Sequence, residues 1–117
     1  MSLAGTKQTL RTLHGNVCAA LRRGEMAWYG LASDYQSKYA FSADYDSAFK
    51  QRYYAQATTC HEIVEHLEAL ALPASQAEVA PFLQALRDAV RCPCPPQMHE
   101  RFERLAIEIK TIAEETA

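Results

Sequence analysis

Buried-type positions in the first seventy residues recur by alternate steps of four and three. A forward set reads Leu10, His14, Val17, Leu21, Gly24, Trp28, Leu31 and Tyr35, and a return set reads Phe49, Tyr53, Gln56, Cys60, Ile63, Leu67 and Leu70. That spacing gathers each set onto one stripe of an α-helix. The stripes mirror each other about Ser42: Val17 falls opposite Leu67, Leu21 opposite Ile63, Leu31 opposite Tyr53, Tyr35 opposite Phe49, and Tyr39 opposite Tyr45. Two helices related in this way form an antiparallel hairpin with its turn at Phe41-Ser42-Ala43.

Stops and caps set the expected boundaries. The first arm runs from Thr6 to Tyr39, and Gly24 and Gly30, each about 1 kcal/mol worse than alanine inside a helix, make Gly24 a place for a break. Asp44 is a fair N-cap for the second arm, which Pro73 ends after Leu72. Ser75 and Glu78 have the spacing of a capping box, yet Pro81 lies deep enough to displace the start of a third helix to Pro81 itself. That helix ends near Arg91. Cys92-Pro93-Cys94-Pro95-Pro96 cannot be helical throughout and reads as a stiff connector. A fourth helix then repeats the four-three step at Met98, Phe102, Leu105, Ile109 and Ile112, with a tail at 114–117 that should fray. The chain is therefore read as one all-α domain over residues 1–117: a long antiparallel helical hairpin (6–72) braced by two shorter helices (75–115), like a four-helix bundle.

At 1.5 Å per residue the arms span roughly 40–50 Å and the bracing helices roughly 15–30 Å. The short pair, starting at the base, cannot reach the turn. Nine aromatic residues, Trp28, Tyr29, Tyr35, Tyr39, Phe41, Tyr45, Phe49, Tyr53 and Tyr54, crowd that uncovered end. Trp28, Tyr35, Phe49 and Tyr53 fall on the stripes and belong to the seam, whereas Tyr29 and Tyr54 fall off both stripes yet face each other across the mirror. Tyrosine tolerates a half-wet contact. The sequence thus nominates Trp28, Tyr29, Tyr35, Tyr39, Tyr45 and Tyr54 as a surface for a second copy of the chain or for another protein.

Charge refines this picture. The net charge of −2 divides unevenly: Lys7, Arg11, Arg22 and Arg23 stand among residues 1–24 without an acid, and Glu62, Glu65, Glu68 and Glu78 stand among residues 60–80 without a base. In the hairpin these segments face each other, which places Arg22 and Arg23 beside Glu62 and Glu65 and leaves no free basic strip for nucleic acid. No run is apolar enough to span a membrane, and the polar start is unlike a signal peptide, so the expected location is the cytoplasm.

In that compartment Cys18, Cys60, Cys92 and Cys94 are expected as free thiols or ligands rather than as disulfides. Cys60, Cys92, Cys94 and His99 are the alternative metal set, because two soft ligands and an imidazole lie on a connector that helix length brings level with Cys60. The favoured reading has the cysteines packed beneath helix-terminating prolines, with no cofactor. The two Cys-Pro dipeptides also resemble heme-regulatory motifs, which implies a thiolate on iron. His61, Glu62, Glu65 and His66 form two interlocked i,i+4 pairs on a solvated face, and no nucleophile, base or phosphate-loop motif is present. Trp28-Tyr29-Gly30 resembles the Trp-x-Gly triplet of the small secreted WXG helical hairpins, which pair as dimers. In that family the triplet forms the turn; here the mirror puts the turn at Ser42, and the chain is not assigned to it. The sequence reads as a non-enzymatic interaction module that is homodimeric through its aromatic tip. Its alternative is a small metal-, heme- or thiol-responsive protein.

Overall fold

The computed structural model describes residues 3–43 and 45–117, and its regular elements among these are all helices: α1 (Leu3–Tyr39), α2 (Ser47–Glu68), α3 (Val79–Ala89) and α4 (His99–Thr116) in chain order, with short 3₁₀ turns. At 61 × 24 × 16 Å the molecule is as long as its longest helix requires, since 37 residues of α1 rise about 55 Å.

Long α1 packs along α2, and cross-helix contacts descend α2 as they climb α1. His14 Nε2 donates to the Leu67 carbonyl (2.7 Å), Arg22 Nη2 reaches Glu68 (2.9 Å), and Glu25 meets His61 (2.9 Å). Further up, the Trp28 and Tyr53 rings stack at 6.0 Å, Tyr29 meets Tyr54 at 5.8 Å, and Tyr35 meets Phe49 and Tyr45 at 5.7 Å. The ring pairs follow the mirror about Ser42, whereas Arg22 reaches past its mirror position, Glu62, to Glu68.

Helix α1 does not break at Gly24. Leu21 and Trp28 on either side are buried, and a Cβ at Gly24 would stand 3.5 Å from the Phe102 ring and 3.8 Å from Cys60 Sγ. Those are ordinary van der Waals distances, so a side chain would fit at this position of a continuous helix. The cap expected at Asp44 lies outside the described residues; the N-cap of α2 is Asp46, whose carboxylate accepts from the Ala48 amide at 2.9 Å. At the base, α2 stops at Glu68, four residues short of Leu72. Pro73 disfavours helical geometry at Leu72, and the chain turns early so that Leu70, Leu72 and buried Pro73 can lie against the core.

Two further boundaries differ from expectation. A 3₁₀ turn at Gln76–Glu78 leads directly into α3, so Pro81 is its third residue. There the missing amide is one of the first four that have no intrahelical partner, and the helix tolerates it. Ser75 makes no side-chain cap, while Glu78 accepts from the Ala74 amide at 2.5 Å. The expected frayed tail is instead helical to Thr116, where the Gln76 amide donates to the Thr116 carbonyl at 3.2 Å.

One core fills the base. Leu10, Leu13, Val17 and Leu21 of α1 and Val64 and Leu67 of α2 meet Val79, Phe82, Leu83 and Leu86 of α3 and Phe102, Leu105, Ile109 and Ile112 of α4. Each set keeps one helical stripe inward. A smaller cluster above it holds Trp28, Ala57 and Cys60, with Leu31, Tyr53 and Cys92 against them.

Candidate interaction surface and thiol junction

Beyond that second cluster the hairpin continues as two helices. The tip is held by its own polar bonds: the Asp46 amide donates to the Tyr35 hydroxyl (3.0 Å), the Tyr45 hydroxyl donates to Gln36 Oε1 (3.0 Å), and the Ser42 amide donates to the Tyr39 carbonyl (2.9 Å). Tyr35 is the hub, touching the rings of Tyr39, Tyr45, Phe49 and Tyr53. These contacts shape the tip without covering it. Phe49 keeps 44% of its surface in solvent, Tyr29 38% and Tyr54 36%, while Phe41 is fully exposed.

The six nominated aromatics therefore divide. Trp28, 9% exposed, is core: its ring lies in the second cluster and its indole N–H donates to the Pro93 carbonyl at 3.2 Å. Tyr35, Tyr39 and Tyr45 are half-buried among one another, and Tyr29 and Tyr54 form an exposed pair on the flank. Sequence reasoning put Phe41 at the uncovered end without nominating it, passed over Met26 and placed Phe49 in the seam, and all three are exposed. Met26 lies three residues before Tyr29 and shares its helix face; its displacement from the stripe was the available signal. Trp28-Tyr29-Gly30 sits within α1 rather than at a turn.

Charges at the tip are mixed. Lys38 stands over the Tyr39 ring at 5.4 Å, Lys50 over Tyr54 at 5.7 Å and Arg52 over Phe49 at 5.2 Å, with Asp34 and Asp46 exposed on the same segments. A patch bearing both signs can face a copy of itself without net repulsion.

Lower down, the arginine register needs correction. Arg22 pairs with Glu68 and with Glu25 (3.5 Å), and its Nη1 lies 3.4 Å from His61. The Glu68 hydrogen bond holds the Arg22 guanidinium above its ordinary value. Arg23 points elsewhere, lining a groove between α1 and α4 with Arg101, Arg104 and Glu108. Glu62 and His66 do not pair with each other; both line a cavity of about 390 Å³ with Ile63, Ala85 and Asp88. Of the two i,i+4 pairs only His61–Glu65 forms, at 2.9 Å.

The proline-rich connector reaches the hairpin's middle, level with Cys60. There the Pro93 carbonyl accepts from both Trp28 Nε1 and Cys60 Sγ (3.8 Å), and Cys92 packs against the cluster that holds Cys60. Donation from Cys92 lowers the Cys60 thiol from its usual range; the same bond, burial and the Cys60 charge raise Cys92. Burial and the Cys60 charge also raise Cys94. His99 stands exposed at the start of α4, and among the described residues no three His, Cys, Asp or Glu side chains are placed to hold a metal ion. The set Cys60, Cys92, Cys94 and His99 is thus not assembled. No described helix is long and apolar enough to cross a membrane. No protein family, curated protein or solved structure matches this chain.

Proposed function

We propose that this protein is a non-enzymatic, cytoplasmic interaction module that forms a homodimer through its aromatic hairpin tip, with α3 and α4 bracing the basal half in a four-helix-bundle-like arrangement. The observation that carries this reading is the contrast along the long axis. The base buries its apolar stripes between four helices, whereas the tip has two helices and leaves Tyr29, Phe41, Phe49 and Tyr54 in water. Two tips laid together supply each other with the missing layer, and a two-fold pairing brings the same patch to itself. The opposite charges at Asp34 and Asp46 and at Lys38, Lys50 and Arg52 favour a like partner over a uniformly charged one. Nucleic acid is a poor fit, since Arg22 is already engaged by Glu68.

Sedimentation equilibrium with circular dichroism tests the reading on a variant carrying Y29A and Y54A. Aromatic anchors at an interface commonly contribute about 2 kcal/mol or more on truncation, so self-association should weaken roughly thirtyfold while helicity is retained. Wild-type affinity in the variant rejects the tip interface, and loss of helicity places the two rings in the fold. The alternative, a thiol-responsive protein, gains one observation: Cys92 of the connector packs against the cluster that holds Cys60 of α2.

A further inference from the structure

Three cysteines converge where the connector docks on the hairpin, and their placement is unequal. Cys60 belongs to α2 and is fully buried; Cys92, half-buried on the connector, packs against the cluster that Cys60 forms with Trp28 and Ala57. Cys60 Sγ lies 3.8 Å from the carbonyl of Pro93, the residue next to Cys92, and both sides are fixed. Helix α2 holds Cys60, and the Pro93 carbonyl, bound by the indole of Trp28 and by Cys60 itself, holds the connector. Cys18 is elsewhere, 3.8 Å from His14 in the basal core.

We propose that Cys60 and Cys92 are an oxidative modification site, at which a hydroperoxide converts the two thiols into a disulfide joining the middle of α2 to the α3–α4 connector. The Cys92 sulfur, the one solvent reaches, gives up its proton and attacks a peroxide oxygen, slowly because Cys60 and burial hold its thiol protonated; the O–O bond breaks, Cys92 becomes a sulfenic acid, and the first water or alcohol leaves. The Cys60 sulfur then attacks the sulfenic sulfur; the S–O bond breaks, the S–S bond forms, and a second water leaves. Two thiols lose two electrons and two protons, and one peroxide is reduced. Cys60 is suited to the second step because α2 holds it in the cluster against which Cys92 packs. The site is independent of whatever the tip binds, and it differs from a Cys92–Cys94 switch because it spans two elements.

Hydrogen peroxide on the purified full chain is the probe, read by intact mass, tryptic mapping and tryptophan emission. Cleavage after arginine separates Cys60, in residues 53–87, from Cys92 and Cys94, in residues 92–101. Expected is loss of two hydrogens, a cross-linked 53–87/92–101 pair that a thiol reductant releases, and a fall in emission from Trp28, the only tryptophan, as the adjacent disulfide quenches it. C94S should retain all three signals, and C60S and C92S should lose the cross-link. The inference is overturned by a disulfide confined to 92–101, by a cross-link that C94S abolishes, or by sulfinic acid accumulating at Cys92 without a cross-link. Because mapping of the wild-type protein decides the matter, misfolding of a serine variant leaves the answer intact.

Discussion

Gly15 and Gly30 occupy exposed positions of α1 with open space where a Cβ would stand, and no described residue has a left-handed backbone. Neither glycine serves a turn or a close contact, so each only loosens the helix. Gly15→Ala and Gly30→Ala should each stabilise by about 0.5–1 kcal/mol, measured by urea unfolding; a loss at either site contradicts a continuous α1. Cys18 answers to pH. Burial first, and then the Glu68 carboxylate, raise its thiol above 9.0, with Arg22 opposing. The unfolded chain therefore loses this proton first as pH rises, so its stabilising effect is complete below that value and is lost above it. Melting curves across about pH 8 to 10 should show a shallower decline in Cys18→Ala than in wild type, and parallel curves would sink the assignment. At this scale the sequence was only partly legible. The buried indole of Trp28 called for an acceptor, but nothing in the chain pointed to the Pro93 carbonyl.

Elements were more readable than their ends. The four-three stripes placed α1, α2 and α4 and the pairing of α1 with α2, because burial imposes its period directly on residue type, while α3 was placed by the prolines that bound it. Boundaries depend on competing local bonds, which is why α2 stops at Glu68 and α3 starts before Pro81. The charge pattern failed for a geometric reason. Successive helix residues diverge by about 100°, so Arg22 and Arg23 cannot both face α2, and composition alone did not say which one does. Thermal unfolding of paired variants checks the outcome: charge reversal at Arg22 and Glu68 should be non-additive, while reversal at Arg23 and Glu62 should add. Strict additivity at the first pair would contradict the observed register. Asp46→Ala, which removes the side-chain cap of α2, should cost about 1 kcal/mol in chemical denaturation, and no loss there would mean that the tip's other bonds hold the turn without it.

Across the whole molecule, length decides what is covered. Helices α3 and α4, 11 and 18 residues long, cannot accompany the 37 residues of α1 to the tip. That much followed from residue counts. The exposure of Phe49 and Met26 did not, because seam and surface differ at a tip by small rotations that a stripe does not resolve. The measurement that addresses the central claim most directly is hydrogen exchange of the wild-type protein at concentrations above and below its association midpoint. Amides become protected where a partner covers them or stills local opening. The account predicts that raising the concentration slows exchange in residues 26–54 and leaves the basal segments of α1, α3 and α4 unchanged. Concentration-independent exchange throughout, or added protection confined to the base, would contradict it.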